Sequence, residues 1–251
     1  MNVIYEPKGR ALEYSELACN LYRGCTHSCR YCYAPAAMRT TGEKWHGNAE
    51  PRKDILRLIE KDAQKLEGDP RSILFCFLCD PYQPIERDER LTQQSLGIMA
   101  KYHLNNQLLT KGCADLILED LELMKKAKTQ LGITLCFTDD NLRQQWEPQA
   151  STVSDRFNIL KTAHEAGIFT WVSLEPVIDP DQALSVIKKA YKYVDFWKVG
   201  KLNHMKEYEG RVDWKKFLFD AKSLLNKLEA RYYIKKDLLA FHENSKAANR
   251  N

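Results

Sequence analysis

Hydrophobic positions along the chain form short continuous runs that alternate with stretches of helical periodicity. Residues 18–22 (Ala18-Cys19-Asn20-Leu21-Tyr22) predict a strand, and residues 51–66 predict a helix in which Ile55, Leu56, Leu58, Ile59 and Leu66 interleave with charges. Residues 72–79, Ser72-Ile73-Leu74-Phe75-Cys76-Phe77-Leu78-Cys79, read as a strand buried on both faces and stopped by Asp80-Pro81-Tyr82-Gln83-Pro84. The alternation then continues with strands over 107–110, 132–138, 169–174 and 194–199. Between them lie helices over 91–102, 114–126, 153–166 and 180–190. Ser151 or Ser154 is expected to cap the helix over 153–166, and Gly167 to end it. These elements make six βα units, followed by a helix over 214–228 and a short strand at 232–234.

Alternating strands and helices imply a parallel sheet, either a barrel or an open doubly wound sheet. Periodicity does not choose between them, but both put functional residues at the C-terminal ends of the strands. Those ends carry the cysteine loop at 25–32, Asp80, Lys111, Thr138-Asp139-Asp140, Glu175 and residues 198–203. No linker or repeat marks a second domain, so the expectation is one domain over 1–251. Its core covers about 15–203, followed by a C-terminal helix and a polar tail that frays after Phe241.

Composition changes this picture little. The 251 residues include 38 basic and 34 acidic side chains, and the net charge of +4 is compatible with an anionic substrate without requiring one. No apolar run approaches the roughly 20 residues that span a bilayer, and the N-terminus lacks the layout of a signal peptide. The expectation is a cytoplasmic protein with no membrane contact. In that compartment the eight cysteines read as metal ligands, core residues or catalytic groups rather than disulfides.

Cys25, Cys29 and Cys32 stand in a C-x₃-C-x₂-C spacing. Three thiolates on one short loop can hold three irons of a cubane and leave the fourth open. Zinc, or a site completed by His27 or Cys19, is the competing reading, but structural zinc sites usually pair two C-x₂-C units. Cys76 and Cys79 have that spacing, yet a strand would send them to opposite faces.

Asn20-Leu21-Tyr22-Arg23-Gly24-Cys25 and Cys29-Arg30-Tyr31-Cys32-Tyr33-Ala34 resemble the spore photoproduct lyase-like (DNA repair photolyase-like) branch of the radical S-adenosylmethionine superfamily. So do Asp80-Pro81-Tyr82-Gln83-Pro84 with Glu86, Leu91-Thr92, Leu109-Thr110-Lys111, residues 142–148 and Val199-Gly200-Lys201-Leu202-Asn203, in the same order. The resemblance implies a partial (β/α)₆ TIM-like barrel binding a [4Fe–4S] cluster on Cys25, Cys29 and Cys32, with S-adenosylmethionine on the open iron. A one-electron reductant of flavodoxin or ferredoxin type would drive reductive cleavage of the cofactor to a 5′-deoxyadenosyl radical, which abstracts hydrogen from substrate.

The resemblance also assigns roles. Tyr33 looks like the residue that packs on adenine, and Asp80 takes the place of an acidic contact to the cofactor's ammonium. The run Leu78-Cys79-Asp80-Pro81 departs from the commoner Gly-Gly-Glu-Pro, which puts a backbone contact in doubt. Lys111 would pair with the cofactor carboxylate, and Thr134 or Thr138 would bond its ribose or carboxylate. Glu175 needs a partner, for which Lys198 is the candidate. Either Cys76 or Cys79 would correspond to the cysteine that returns hydrogen in spore photoproduct lyases, although both also read as small buried hydrophobes. A nucleic-acid substrate follows from that branch, and Arg23, Arg30, Arg39, Lys44, Arg52 and Lys53 could flank its phosphates. The rival readings are radical modification of a tRNA, peptide or small molecule, and a non-catalytic iron–sulfur electron carrier.

Overall fold

The computed structural model describes residues 2–247. Seven strands run parallel in strictly sequential order: β1 (Leu17–Cys19), β2 (Ile73–Phe75), β3 (Asn106–Thr110), β4 (Gln130–Thr134), β5 (Thr170–Leu174), β6 (Phe196–Val199) and β7 (Tyr232–Ile234). β1 and β7 do not pair with one another, so the sheet is a partial barrel with two edges. A bridge between Tyr5 and Ala18 covers the β1 edge. The sheet exceeds the expected six units because β7 continues it beyond β6.

Three of the strands are shorter than their apolar runs. β1 stops at Cys19, and Tyr22–Arg23 turns away to pair antiparallel with Glu50–Pro51. β2 stops at Phe75 because Asn20 replaces a strand neighbour: its Oδ1 accepts from the backbone N–H of both Phe77 and Leu78, each at 2.9 Å. β4 stops at Thr134, yet Leu135, Cys136 and Phe137 remain fully buried beneath the barrel mouth. Hydrophobicity reports burial, and here burial outlasts pairing.

The helices follow their periodicity with local corrections. The helix expected over 114–126 is split at Asp120, whose carboxylate accepts from Tyr82 Oη at 2.9 Å and Gln93 Nε2 at 2.6 Å. Helix Val153–Glu165 is capped by Thr152, in a capping box with Asp155, rather than by Ser151 or Ser154. Gly167 follows it with φ +81°, as a C-terminal glycine should. The last helix, Lys236–Ala247, packs on helix Trp214–Lys227 and runs past Phe241, while residues 248–251 of the expected tail lie outside the described residues. Among the described residues no helix is long and apolar enough to cross a membrane.

Behind the sheet's mouth sits a fully buried ion pair, Arg156 Nη1 to Glu147 Oε2 at 2.6 Å. Tyr31 donates to the same carboxylate, and Arg156 also donates to Thr134 O at 3.1 Å. A second buried carboxylate, Glu86, accepts from Tyr22 Oη and from Thr92 N at 2.6 Å. Burial nevertheless pushes its carboxyl from the ordinary 4.5 up to about 7. Between those two values the unfolded chain has lost a proton that the folded chain keeps, so stability falls as pH rises through this window. The replacement Glu86→Gln should flatten that fall, by about 3 kcal/mol at most, in urea unfolding compared at pH 5 and pH 7.5. Equal pH dependence in both proteins would contradict the assignment.

Candidate active site and cofactor cavity

The C-terminal ends of the strands surround a cavity of about 470 Å³, within the range of clefts that hold cofactors and small substrates. Cys25, Cys29 and Cys32 line one side of it, on a loop with no regular structure of its own. Gly24 admits the chain to this loop with φ +80°, and a Cβ there would lie 2.0 Å from Asn48 O. Bonds from elsewhere set the loop: Cys25 N to Trp45 O at 3.1 Å, Thr26 N to Gln83 Oε1 at 3.1 Å, Arg30 N to Trp146 O at 2.9 Å, and Gln149 N to His27 O at 3.2 Å. Arg30 also stacks over the Trp146 ring, 4.9 Å from its centroid.

The three thiols are held away from bulk water, and burial drives each of them up. Asp80 adds to the effect at Cys25, whereas Lys111 offsets part of it at Cys29, which rises to about 12. Thiols in this state keep their protons unless a cation takes the protons' place, and iron is such a cation. Among the described residues no three His, Cys, Asp or Glu side chains converge on a point fit for one ion. A cubane needs no such point, since it takes one thiolate per iron. The donor set and the cavity beside it therefore fit a cluster with room for a further ligand.

Most of the residues expected at the site line this cavity: Tyr33, Asp80, Lys111, Thr134 and Glu175, together with Cys76 and Cys79. Their surroundings divide them. Asp80 is committed to the protein, accepting from Thr110 Oγ1 at 2.6 Å, Lys111 N at 2.8 Å and Tyr82 N at 2.9 Å, with His27 Nδ1 3.5 Å away. Its carboxylate ties β2's exit to β3's end. Lys111 is the opposite case. Its ammonium has no hydrogen bond or ion pair among the described residues; burial would push it down, but Cys29, Glu147 and Asp80 outweigh burial and hold it up. The Thr134 side chain, 3% exposed at the end of β4, likewise has no protein partner. Tyr33 is half exposed and donates to Phe77 O at 2.9 Å, tethering the cysteine loop to the segment after β2.

Thr138 does not reach the site. β4 has ended before it, and its hydroxyl and N–H both donate to Gln182 Oε1 at 2.9 Å. Asp139 is an N-cap, bound by Asn141 N and Leu142 N. Lys198 does not pair with Glu175 either. Its Nζ donates to Tyr14 O at 2.9 Å and sits 4.8 Å from the Tyr14 and Trp171 ring centroids, and burial together with Lys235 lowers it to about 8. The cation on Glu175 Oε2 is Lys235, at 2.5 Å, and Tyr14 Oη donates to the same oxygen at 2.7 Å. Gly200 makes room for this carboxyl, since a Cβ there would lie 2.7 Å from Glu175 Cδ.

Tyr14 and Lys235 carry no sequence signal, since one lies in a polar lead segment and the other follows a three-residue strand. Burial and Glu175 hold the Tyr14 phenol well above its ordinary value. None of Arg23, Arg30, Arg39, Lys44, Arg52 and Lys53 lines the cavity. Its further cations are Lys8, Arg10, Lys201 and Lys235.

The family model of the Radical SAM superfamily matches residues 19–194. The chain belongs to the radical SAM superfamily. Enzymes of this superfamily use a [4Fe–4S] cluster and S-adenosylmethionine and take an electron from an outside donor. A cysteine-to-serine variant of spore photoproduct lyase superposes with a TM-score of 0.69 at 13% identity, covering 92% of this chain and 78% of that one. SuiB of Streptococcus suis, bound to S-adenosylmethionine, gives 0.64 at 13% identity over 88% of this chain and 51% of its own. At these identities the likeness is one of fold, the radical SAM partial barrel. An uncharacterized protein of Methanocaldococcus jannaschii is 32% identical over 164 residues, 64% of this chain and 60% of that protein. One from Mycobacterium tuberculosis is 24% identical over 180 residues, 68% of this chain and 52% of its own length. The match thus spans only about half to three-fifths of these relatives.

The Glu175–Lys235 contact is open to a double-mutant cycle. Lys235→Met should cost about 1–3 kcal/mol more in the native protein than in a Glu175→Gln background by urea unfolding, with a smaller coupling for Lys198→Met. Coupling to Lys198 and none to Lys235 would contradict the pairing.

Proposed function

We propose that Cys25, Cys29 and Cys32 hold the [4Fe–4S] cluster and that S-adenosylmethionine lies in the adjoining cavity with its carboxylate toward Lys111. When bound, the pair supplies a 5′-deoxyadenosyl radical that abstracts hydrogen from a substrate. The observation that carries this reading is Lys111, a half-buried ammonium beside Cys29 with no hydrogen bond or ion pair among the described residues. Its charge is held by acidic neighbours without a direct contact, and an anionic ligand group supplies the missing charge-assisted hydrogen bond. The free side chain of Thr134 supplies a donor on the same side of the cavity. Tyr33 lies where an adenine ring could stack, its own hydroxyl already fixed by Phe77 O.

The substrate reading is repair of a nucleic-acid lesion of the spore photoproduct type. Its support is the pair of thiols in the cavity wall, Cys76 and Cys79, as a source of hydrogen for a product radical. Solved structures with this fold include spore photoproduct lyase complexed with dinucleoside spore photoproduct, and the likeness to it is 12% in identity. One observation favours a different substrate, such as a peptide, a tRNA or a small metabolite. The cations at the rim are largely spoken for: Arg10 by Asp237 at 3.0 Å, Lys201 by Glu209 at 2.6 Å and Lys235 by Glu175. Few are left for a phosphate backbone.

Anaerobic reconstitution followed by dithionite and S-adenosylmethionine should release 5′-deoxyadenosine. Lys111→Met should retain iron and bind the cofactor roughly tenfold to a hundredfold more weakly, as loss of a charge-assisted hydrogen bond requires. Cluster assembly with no cofactor cleavage would leave an electron carrier in place of an enzyme. Cleavage without repair of a thymine photoproduct dinucleotide would move the substrate to the second reading.

A further inference from the structure

Because β2 ends at Phe75, Cys76-Phe77-Leu78-Cys79 lies on a bend. The alternation of a strand, which would send residues three apart to opposite faces, does not act there. Both thiols line the cavity wall instead, at 5% and 7% exposure. The bend is held from two sides, by Asn20 on the N–H groups of Phe77 and Leu78 and by Tyr33 on Phe77 O. Cys79 and Cys25 of the cysteine loop line the same cavity. The segment thus presents two free thiols, C-x₂-C spaced and fixed in place, on the surface where substrate would meet a radical.

C-x-x-C on a loop is the spacing at which two thiols readily close to a disulfide and open again. We propose that Cys76 and Cys79 act as a two-sulfur hydrogen donor, an inference that rests on the radical reading above. Cys79, next to the barrel mouth, gives its S–H hydrogen atom to a carbon-centred substrate radical, forming a C–H bond and leaving a thiyl. The sulfur of Cys76 bonds to that thiyl while its proton leaves to cavity water. The odd electron on the new S–S bond passes to the oxidised form of a one-electron carrier of flavodoxin or ferredoxin class. An external dithiol then reduces the disulfide by exchange, becoming oxidised itself and restoring both S–H groups. A single thiol would have to hold its radical until the hydrogen came back. A pair discharges it.

The test has two arms, both on the cluster-loaded protein under anaerobic conditions. Glutathione disulfide should remove the Cys76 and Cys79 thiols together, as one intrachain disulfide seen by peptide mass mapping. In Cys76→Ala, Cys79 should instead retain glutathione as a mixed disulfide. Both thiols remaining alkylatable, or Cys79 pairing with Cys19, would overturn the proposal. In the second arm, cofactor cleavage without substrate in D₂O should place solvent deuterium in 5′-deoxyadenosine. That label should fall at least tenfold in Cys79→Ala and persist in Cys76→Ala. Unlabelled 5′-deoxyadenosine from the unsubstituted protein would overturn the donor role and leave the radical reading standing. No 5′-deoxyadenosine at all would sink the radical reading, and with it the donor role, even if the disulfide forms.

Discussion

A loop that carries three cysteines close together has little to fold around, and in this protein its shape is borrowed from a buried ion pair. Glu147 and Arg156 are both inaccessible to water and meet at 2.6 Å. Further hydrogen bonds help to offset the cost of burying such a pair. Tyr31, between the second and third cysteines, donates to the carboxylate, and Thr134 O at the end of β4 accepts from the guanidinium. One charge pair thereby joins the cysteine loop, the segment over 146–150 and a sheet end. Trp146 O and His27 O complete the seam through backbone bonds. This packing places the thiols.

The cavity beside the loop has two walls of different chemistry. On the loop side, Lys111 and Thr134 leave polar groups without protein partners, the condition expected where a charged cofactor docks. On the far side, Tyr14, Ser173, Glu175 and Lys235 satisfy one another. That wall is assembled from both ends of the described chain. Glu13 accepts from Tyr233 Oη at 2.9 Å and Lys236 N at 2.8 Å, and Arg10 meets Asp237. Cys76 and Cys79 lie in the lining of the same cavity.

Much of this was legible in the sequence. Parallel alternation, the cysteine spacing and strand-end positions such as Lys111 and Glu175 all follow from patterns with a direct physical cause. The misses share a cause as well. Thr138 reads as a β4 residue because the residues before it are apolar, yet β4 ends at Thr134 and those residues stay buried past its end. The Cys76–Cys79 pair was set apart for the same reason, until Asn20 cut the strand short. Neighbouring strands suggest Lys198 for Glu175, whereas Lys235 arrives from a segment 60 residues away in sequence. The resemblance casts Asp80 as a contact to the cofactor's ammonium; three protein donors also meet its carboxylate here. Periodicity carries burial and local structure, and it carries nothing about which distant side chain completes a polar group.

The central claim is that three protein thiolates leave one iron open and that S-adenosylmethionine completes it. The most direct measurement is electron paramagnetic resonance of the reduced, anaerobically reconstituted protein with and without S-adenosylmethionine. The account predicts a [4Fe–4S] signal whose g-values shift when the cofactor is added. An identical spectrum under saturating cofactor would contradict it.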